Sequence, residues 1–275
     1  MELEALGYIV HIDPHHGGQV RKLTYLGQPI LRTSAGSLDP LETSCFPLIP
    51  YSNRIKNAKF LFANRPYQLK RNWQCDEHSI HGEGWLASWS VMELSADRCM
   101  ISYTGGKNWP WSYRVELSIQ ISKSGVKFEI EVLNSGHEAF PVGAGFHPYF
   151  PRFEDTELKF TATEFLKSDD WSTRGFSTLR DDIKFRHSRR FQNVSIDACF
   201  SGWDRRALIL QPTLGVAIEL ETSSETNWCT LYIPESDRFF CFEPGSHATG
   251  AFNRSDAMAD GLHLLRPDKK FKFDM

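Results

Sequence analysis

The chain has no long hydrophobic run and no excess of charge of either sign. No stretch approaches the roughly 18 apolar residues that a membrane-spanning helix needs. The 31 Lys and Arg residues almost balance the 34 Asp and Glu residues, which gives a net charge of −3. Such a balance provides no general attraction to nucleic acid or to an anionic membrane surface. We therefore expect neither of these partners.

The six cysteines are widely spaced, and their pattern matches no metal-binding or redox motif. The closest two, Cys229 and Cys241, are twelve positions apart, so neither a C-x-x-C pair nor a zinc-ribbon spacing is present. The first residues also lack the basic and apolar regions of a secretory signal. Free thiols in a reducing compartment are the simplest interpretation, and we predict a cytoplasmic protein.

Other familiar catalytic motifs are missing as well. The chain has no G-K-[ST] phosphate-binding loop and no G-x-S-x-G nucleophile elbow, and Gly143-Ala144-Gly145 lacks the third glycine of a dinucleotide fingerprint. His78, His81 and His147 could be considered as metal ligands. However, residues three apart in a strand point to opposite faces, which separates the first two. We predict no metal and no organic cofactor.

The sequence does contain repeated alternation of apolar and polar residues. Apolar residues occupy every second position in three runs, at 115–121, 126–132 and 216–220. This period of two is typical of antiparallel strands with one buried face. Shorter candidate strands lie at 59–62, at 67–70 after a turn at 63–66, and at 228–233. We predict an all-β chain that folds as one large antiparallel β-sandwich domain over residues 1–275.

Five polar clusters combine ionisable residues with Gly, Pro or aromatic neighbours at the expected strand ends. They span residues 51–54, 78–85, 145–150, 196–200 and 241–247. An Arg, His or Glu between Phe, Tyr and Pro residues needs a partner when folding buries it. The chain also has 8 Trp residues, and the apolar face of a sugar can stack on an indole ring. The tryptophans that we expect nearest to a cleft are Trp85, Trp89, Trp171 and Trp203.

The order of these clusters resembles the aldose 1-epimerases, or mutarotases, of the galactose-mutarotase-like superfamily. The resemblance begins at Gly17-Gly18-Gln19-Val20 and ends near Ala251-Phe252-Asn253. Its most specific part is an ordered set of five motifs: Asn53-Arg54, His81-Gly82, His147-Pro148-Tyr149-Phe150, Asp197 and Glu243-Pro244. Pro148 and Pro244 make the chain more similar to a less characterised branch of the family than to galactose mutarotases proper.

The resemblance implies a large β-sandwich whose concave face holds a free sugar. By the family's pattern, Glu243 would be the base at the anomeric hydroxyl and His147 the acid at the ring oxygen. With the ordinary pKa values of ~4.3 for Glu and ~6.5 for His, an ionised base and a partly protonated acid would both exist near pH 7. The residues implied or added as substrate-binding are Arg54, His81, Asp197, Asn53, Glu83 and Trp203.

Three alternatives stay open at this point. The sugar would be anionic, such as a hexose 6-phosphate or a sulfosugar, if an arginine beyond Arg54 lines the cleft, with Arg205 and Arg206 as first candidates. A sugar-binding protein without turnover would need neither member of the acid–base pair. A glycoside-cleaving enzyme would need two carboxylates beside the scissile bond, and only Glu243 has support. We expect a monosaccharide ligand and a monomer or homodimer.

Overall fold

The computed structural model describes residues 1–34, 36–74, 76–167, 175–190, 194–222 and 224–275, so the proposed Trp171 lies outside the described residues. The first thirteen strands in these ranges are β1 Glu2–Ala5, β2 Tyr8–Asp13, β3 Gln19–Tyr25, β4 Gln28–Pro29, β5 Pro47–Leu48, β6 Arg54–Ile55, β7 Lys59–Phe62, β8 Arg65–Gln68, β9 Ser79–Ile80, β10 Ser90–Leu94, β11 Arg98–Gly105, β12 Tyr113–Ser122 and β13 Gly125–Asn134. The remaining strands are β14 Phe140–Val142, β15 Gly145–Phe146, β16 Tyr149–Pro151, β17 Glu157–Phe160, β18 Glu164–Lys167, β19 Ser177–Thr178, β20 Arg189–Arg190, β21 Ile196–Ser201, β22 Arg206–Gln211, β23 Val216–Glu221, β24 Trp228–Ile233, β25 Phe239–Gly245, β26 His263–Leu265 and β27 Lys270–Asp274.

Helical structure in the described residues is limited to single 3₁₀ turns. They are Pro40–Glu42, Lys56–Ala58, Gly84–Leu86, Asp181–Ile183, Pro212–Leu214 and Ala251–Asn253. Within this part of the chain, no helix has the length and apolar character that crossing a bilayer requires. The prediction of an all-β chain is confirmed.

The strands form three large antiparallel sheets and several smaller ones. The largest has the path β19-β18-β21-β24-β25-β15-β5, with β16 also paired to β25. A five-stranded sheet has the order β10-β11-β12-β13-β27, and a four-stranded sheet has the order β20-β17-β22-β23. A second four-stranded sheet is β1-β2-β3-β4, and the two-stranded pairs are β14-β26, β6-β9 and β7-β8.

The alternating runs of the sequence form strands with one buried face. In β12, every second side chain from Tyr113 to Ile121 is buried, while the residues between them are partly or fully exposed. β12 pairs with β13 in unbroken register from Tyr113 opposite Asn134 to Ser122 opposite Gly125. The two residues at 123–124 connect these strands. The strand predicted at 228–233 is β24, with the same bounds.

One predicted hairpin is correct in kind but wrong in its turn. We expected a four-residue turn at 63–66, whereas Phe62 pairs directly with Arg65 across a two-residue turn. Ala63 and Asn64 both adopt positive φ, 49° and 61°. Positive φ at both central residues is the type I′ geometry, which matches the twist of the flanking strands. The proline at 66 therefore lies inside β8, in a two-stranded ribbon.

The eight-stranded sheet carries Asp197 on β21 and Glu243 on β25, and aromatic side chains cover its inner face. Phe160 of β17 packs edge-on against Phe200 and Phe242, 5.2 and 5.0 Å away between ring centroids. At the other end, Phe128 of β13 packs against Phe146 of β15, 5.9 Å away. Since successive side chains in a strand point to opposite faces, the neighbours of these phenylalanines in sequence point away from this core.

Candidate active site

Glu243 and His147 meet on the face of the large sheet that is turned away from the aromatic core. Glu243 lies on β25, opposite Thr230 of β24, and follows the inward-facing Phe242. His147 lies in the short connection between β15 and β16, where its backbone N–H donates to the carbonyl of Phe46. Both residues are buried, and Nε2 of His147 is 3.4 Å from Oε1 of Glu243. The two side chains predicted as acid and base are therefore neighbours.

Aromatic rings fix the orientation of the His147 imidazole. The ring packs against both Phe46 and Tyr149, with centroid distances of 4.7 and 4.6 Å and interplanar angles of 28° and 19°. Its Nδ1 is buried and has no hydrogen-bond partner among the described residues. Nε2, the nitrogen that faces Glu243, is therefore the one through which the ring can exchange a proton with that carboxyl group.

Burial shifts the pKa values of the pair in opposite directions. Removal from water raises the pKa of Glu243 well above its ordinary value, and the nearby charge of Asp197 raises it further, while Arg54 lowers it. Removal from water, together with the positive charge of Arg32, lowers the pKa of His147 to about 3. Burial disfavours the charged form of each group. These directions favour a protonated carboxyl beside a neutral imidazole, whereas the ordinary pKa values predict an ionised Glu243 beside a partly protonated His147.

Arg32 is a cation of this site that the sequence analysis missed. Its guanidinium lies 3.7 Å above the centroid of the Tyr149 ring, and this ring also stacks on the imidazole of His147. The guanidinium is held in place because Nε donates to the carbonyl of Thr43 at 2.8 Å and Nη2 donates to the carbonyl of Leu41. No motif in the sequence around residue 32 distinguishes this arginine from a surface one.

His81 and Asn53 hold each other at the ends of the β6–β9 ribbon. The backbone N–H of His81 donates to the carbonyl of Asn53 at 2.9 Å, and the N–H of Asn53 donates to Nδ1 of His81 at 3.1 Å. Because Nδ1 accepts a hydrogen bond, the neutral ring carries its proton on Nε2. The His81 ring stands edge-on to His147, with centroids 5.5 Å apart. Burial lowers the pKa of His81 well below its ordinary value, and His147 and Arg54 lower it further.

A glycine is required beside His81 by the close approach of the chain to Ile49. Gly82 has φ of +70°, and a Cβ there would lie 1.9 Å from the carbonyl oxygen of Ile49. This carbonyl also accepts the N–H groups of Glu83 and Gly84. The His-Gly pair of the sequence motif thus reflects a backbone turn that presents the imidazole to the site.

Arg54 and Asp197 act on Glu243 electrostatically and in opposite directions. Arg54 is partly exposed, and its Nε donates to Oδ2 of Asp76 at 2.7 Å. Its charge favours the ionised form of Glu243. Asp197 lies on β21, opposite Tyr232 of β24, and disfavours that form. Because Asp197 alternates with the inward-facing Ala198, its carboxylate shares the face of Glu243.

Two residues added to the site from sequence proximity have structural partners elsewhere. Both carboxylate oxygens of Glu83 accept backbone N–H groups, from Gly106 and Asn108, each at 2.6 Å. Trp203 is 2% exposed, packs on Phe242 in the aromatic core, and donates its indole N–H to a backbone carbonyl. Glu83 therefore anchors a loop and Trp203 fills the core. These contacts give no support for placing either residue against a sugar.

The remaining candidates also divide between packing and surface roles. Trp85 and Trp89 are buried, and each donates its indole N–H to a backbone carbonyl, that of Gly82 or Gly84. Nδ1 of His78 accepts the N–H of Asn57. Arg206 is exposed on β22, and its Nε lies 3.5 Å from Oε2 of Glu221. Arg205 is exposed immediately before β22, so the first candidates for a cleft arginine are surface residues at the start of this strand.

Three partly exposed aromatic side chains pack near the site and were not predicted from the sequence. They pack against the buried cluster that contains Phe46, Trp85 and Tyr149, and they are Trp73, Tyr232 and Phe239. Trp73 contacts Trp85 with ring centroids 5.2 Å apart, and Phe239 contacts Tyr149 at 5.3 Å. Sequence position gave no signal for them, because ordinary core residues have the same local composition.

Comparison with known proteins assigns the chain to a family. The family model for aldose 1-epimerase matches residues 10–275. The chain is 31% identical over 237 residues to the uncharacterized protein YphB of Escherichia coli K12, covering 83% of this chain and 81% of YphB. The structure of an Escherichia coli K12 protein provisionally named aldose 1-epimerase superimposes with a TM-score of 0.92 at 28% identity, covering 99% of this chain and 96% of that one.

A galactose mutarotase-like protein from Clostridium acetobutylicum shares the fold, with a TM-score of 0.86 at 21% identity over 99% of this chain and 92% of that one. The family match covers all the residues of the site described above, including both members of the buried pair. The chain belongs to the aldose 1-epimerase family, whose enzymes are isomerases of the mutarotase type.

Proposed function

We propose that this protein interconverts the α and β anomers of an aldose, with Glu243 and His147 as its acid–base pair. The observation that carries the proposal is the convergence of the two buried groups, 3.4 Å apart, on one face of the large sheet. The anomeric hydroxyl and the ring oxygen are bonded to the same carbon atom. Two groups that serve both oxygens at once must therefore lie next to each other, as these do.

The reaction needs one transferable proton on the pair, and it can start with that proton on either Glu243 or His147. Ring opening moves a proton from the anomeric hydroxyl to the base, while the acid gives a proton to the ring oxygen. The open aldehyde then rotates about the bond next to its carbonyl carbon and recloses with the proton transfers reversed. The pair holds one proton before and after each step. A neutral pair and an ion pair contain the same proton, so moving it between Glu243 and His147 produces the base and acid of the family pattern.

The neighbouring residues are proposed to hold the sugar in the geometry for these transfers. His81 would donate a hydrogen bond from Nε2, and Asp197 and Asn53 would bind hydroxyl groups. Arg54 would offset negative charge that develops on oxygen during ring opening. The half-exposed rings of Trp73, Tyr232 and Phe239 offer apolar surface to the sugar ring.

The proposed substrate is a free hexose or a related aldose without an anionic group. The alternative of a phosphorylated or sulfonated sugar needs an arginine beyond Arg54 in the cleft, and the first candidates, Arg205 and Arg206, are exposed at the start of β22. Arg32 is committed to two backbone carbonyls. A monosaccharide ligand and no metal or organic cofactor remain our predictions, and we propose the cytoplasm as the location.

Anomeric exchange measured by NMR over a panel of freshly dissolved sugars tests the proposal. Wild-type protein should accelerate exchange of at least one neutral aldose well above the spontaneous rate. Acceleration confined to phosphorylated or sulfonated sugars would contradict the substrate class. Sugar binding without acceleration would replace the enzyme by a sugar-binding protein on the same fold.

A further inference from the structure

A third potential ligand atom accompanies the catalytic pair. Cys241 lies two residues before Glu243 on β25, so both side chains point to the same face of the sheet. Opposite Cys241 on the neighbouring strand β16 is Tyr149, two residues after His147. Sγ of Cys241, a ring nitrogen of His147 and a carboxylate oxygen of Glu243 all lie within 4.8 Å of one another, and all three residues are buried.

The three donor types match the preferences of zinc and similar divalent ions. Zn²⁺ binds Cys sulfur at about 2.3 Å and His nitrogen or carboxylate oxygen at about 2.0–2.2 Å, usually with tetrahedral geometry. Donors around such an ion lie roughly 3–4 Å from one another, and the nitrogen–oxygen distance here is already 3.4 Å. Mg²⁺ and Ca²⁺ prefer sites made of oxygen atoms, so this donor set selects against them.

The buried site can balance the charge of a divalent ion. Metal binding requires a thiolate, a carboxylate and a neutral imidazole, and the thiol proton is released as the ion binds. A thiolate on Cys241 and a carboxylate on Glu243 carry two negative charges between them, and both residues are buried. A bound divalent ion would balance these charges, which avoids burying an uncompensated charge.

We propose that His147, Cys241 and Glu243 form a site for Zn²⁺ or a similar thiolate-binding divalent ion, and that this ion competes with the sugar. The ion would occupy the two groups that the reaction needs for proton transfer, so its binding would inhibit the enzyme. The inhibitory part rests on the proposed function, whereas the binding part rests on the donor geometry alone. Cys241 has no part in the proposed proton transfers, so variants of Cys241 can separate metal binding from the proposed reaction.

Metal binding is tested first, without any measurement of turnover. Protein freed of metal by a chelator is titrated with Co²⁺, which gives a thiolate-to-metal charge-transfer absorption when a cysteine is a ligand. We expect one equivalent of Co²⁺ with this absorption in the wild type. Cys241→Ser and Cys241→Ala should both lose the band, and Zn²⁺ affinity should fall at least ~10-fold, the lower end of the loss caused by removing even an indirect partner of a metal ligand. Cys99→Ser, at a buried cysteine on β11 of the five-stranded sheet, is the matched control and should bind as the wild type does.

Turnover is tested second, with the aldose that exchanges fastest. Zn²⁺ should inhibit exchange, excess sugar should relieve the inhibition, EDTA should reverse it, and Mg²⁺ should have no effect. The Cys241 variants should need at least ~10-fold more Zn²⁺ for half inhibition. Equal inhibition of wild type and both variants, or a wild type without the thiolate band, would overturn the proposed site. An increase of exchange on adding Zn²⁺ would overturn competition. A thiolate band in a protein that exchanges no aldose would retain the metal site and remove the proposed function.

Discussion

The five-stranded sheet and the eight-stranded sheet both bury side chains, but the burial has different consequences in the two. In β12 and β13, apolar side chains fill one face and polar side chains meet solvent on the other. In β24 and β25, both faces are covered, and the face away from the aromatic core holds Glu243 and Thr230. Burying apolar surface stabilises the fold, whereas burying a carboxyl with few partners costs stability. The site face therefore retains groups that reduce stability and that the proposed reaction needs.

The largest effect should come from removing either member of the pair. Glu243→Gln keeps the size of the side chain but cannot accept or donate the proton, and His147→Ala removes the imidazole. Each should lower kcat for anomeric exchange by at least ~100-fold, the usual contribution of a positioned acid or base. NMR exchange rates at saturating sugar measure this effect. Retention of most of the activity by Glu243→Gln would remove Glu243 from its proposed role.

A substitution in the core of the five-stranded sheet should lower stability and leave the exchange rate unchanged. Leu117 of β12 is 1% exposed and lies opposite Ile130 of β13. Leu117→Ala should lower the free energy of unfolding by about 2–5 kcal/mol, through lost burial and the cavity left behind. Urea denaturation measures the loss, and exchange per folded molecule should be unchanged. A large change of kcat in a fully folded sample would show that this sheet does more than support the site.

Glu243→Gln should also change how stability depends on pH. The pKa of Glu243 is raised in the folded state, so above the ordinary carboxyl value of ~4.3 the folded protein binds more protons than the unfolded chain. Stability from this group therefore falls as the pH rises through the folded pKa. Thermal unfolding from pH 4 to pH 8 should show that the stability of Glu243→Gln relative to the wild type increases as the pH rises. A difference that is independent of pH would contradict the burial of an ionisable group at this position.

The smallest expected effect concerns Arg32, which acts on His147 through the intervening ring of Tyr149. Removing its positive charge should raise the pKa of His147 from about 3, because imidazolium would no longer be repelled. The pair takes up a second proton when the pH falls through this pKa, so the acid limb of kcat/KM should move to higher pH in Arg32→Gln. Arg32→Lys keeps the charge and serves as the control. Equal shifts in both variants would mean that Arg32 acts through its hydrogen bonds to Thr43 and Leu41.

The architecture was predictable because it rests on local patterns that do not depend on distant residues. Alternation predicted β12 and β13 almost residue by residue, and the composition of 228–233 predicted β24. The type I′ turn at Ala63 and Asn64 was missed because neither residue is a glycine, the usual signal for positive φ at this place. The proline at 66 appeared to belong to the turn, although a two-stranded ribbon can accommodate it.

The candidate site was predictable where a resemblance covered it and less so elsewhere. Glu83 and Trp203 were added because they lie close to site motifs in sequence, yet their partners turn them toward a loop and toward the core. Arg32 was missed because it reaches His147 only across Tyr149, and such contacts leave no trace in local sequence. The pKa directions were missed because ordinary values describe groups in water.

The most direct test of the central claim is a double-mutant cycle on the pair. Exchange rates are measured by NMR for wild type, Glu243→Gln, His147→Gln and the double variant, each corrected for spontaneous exchange. Residues that act as one proton-transfer unit have strongly non-additive effects. The account predicts that the double variant is about as slow as either single variant. Losses that multiply in the double variant, or a single variant with nearly full activity, would contradict it.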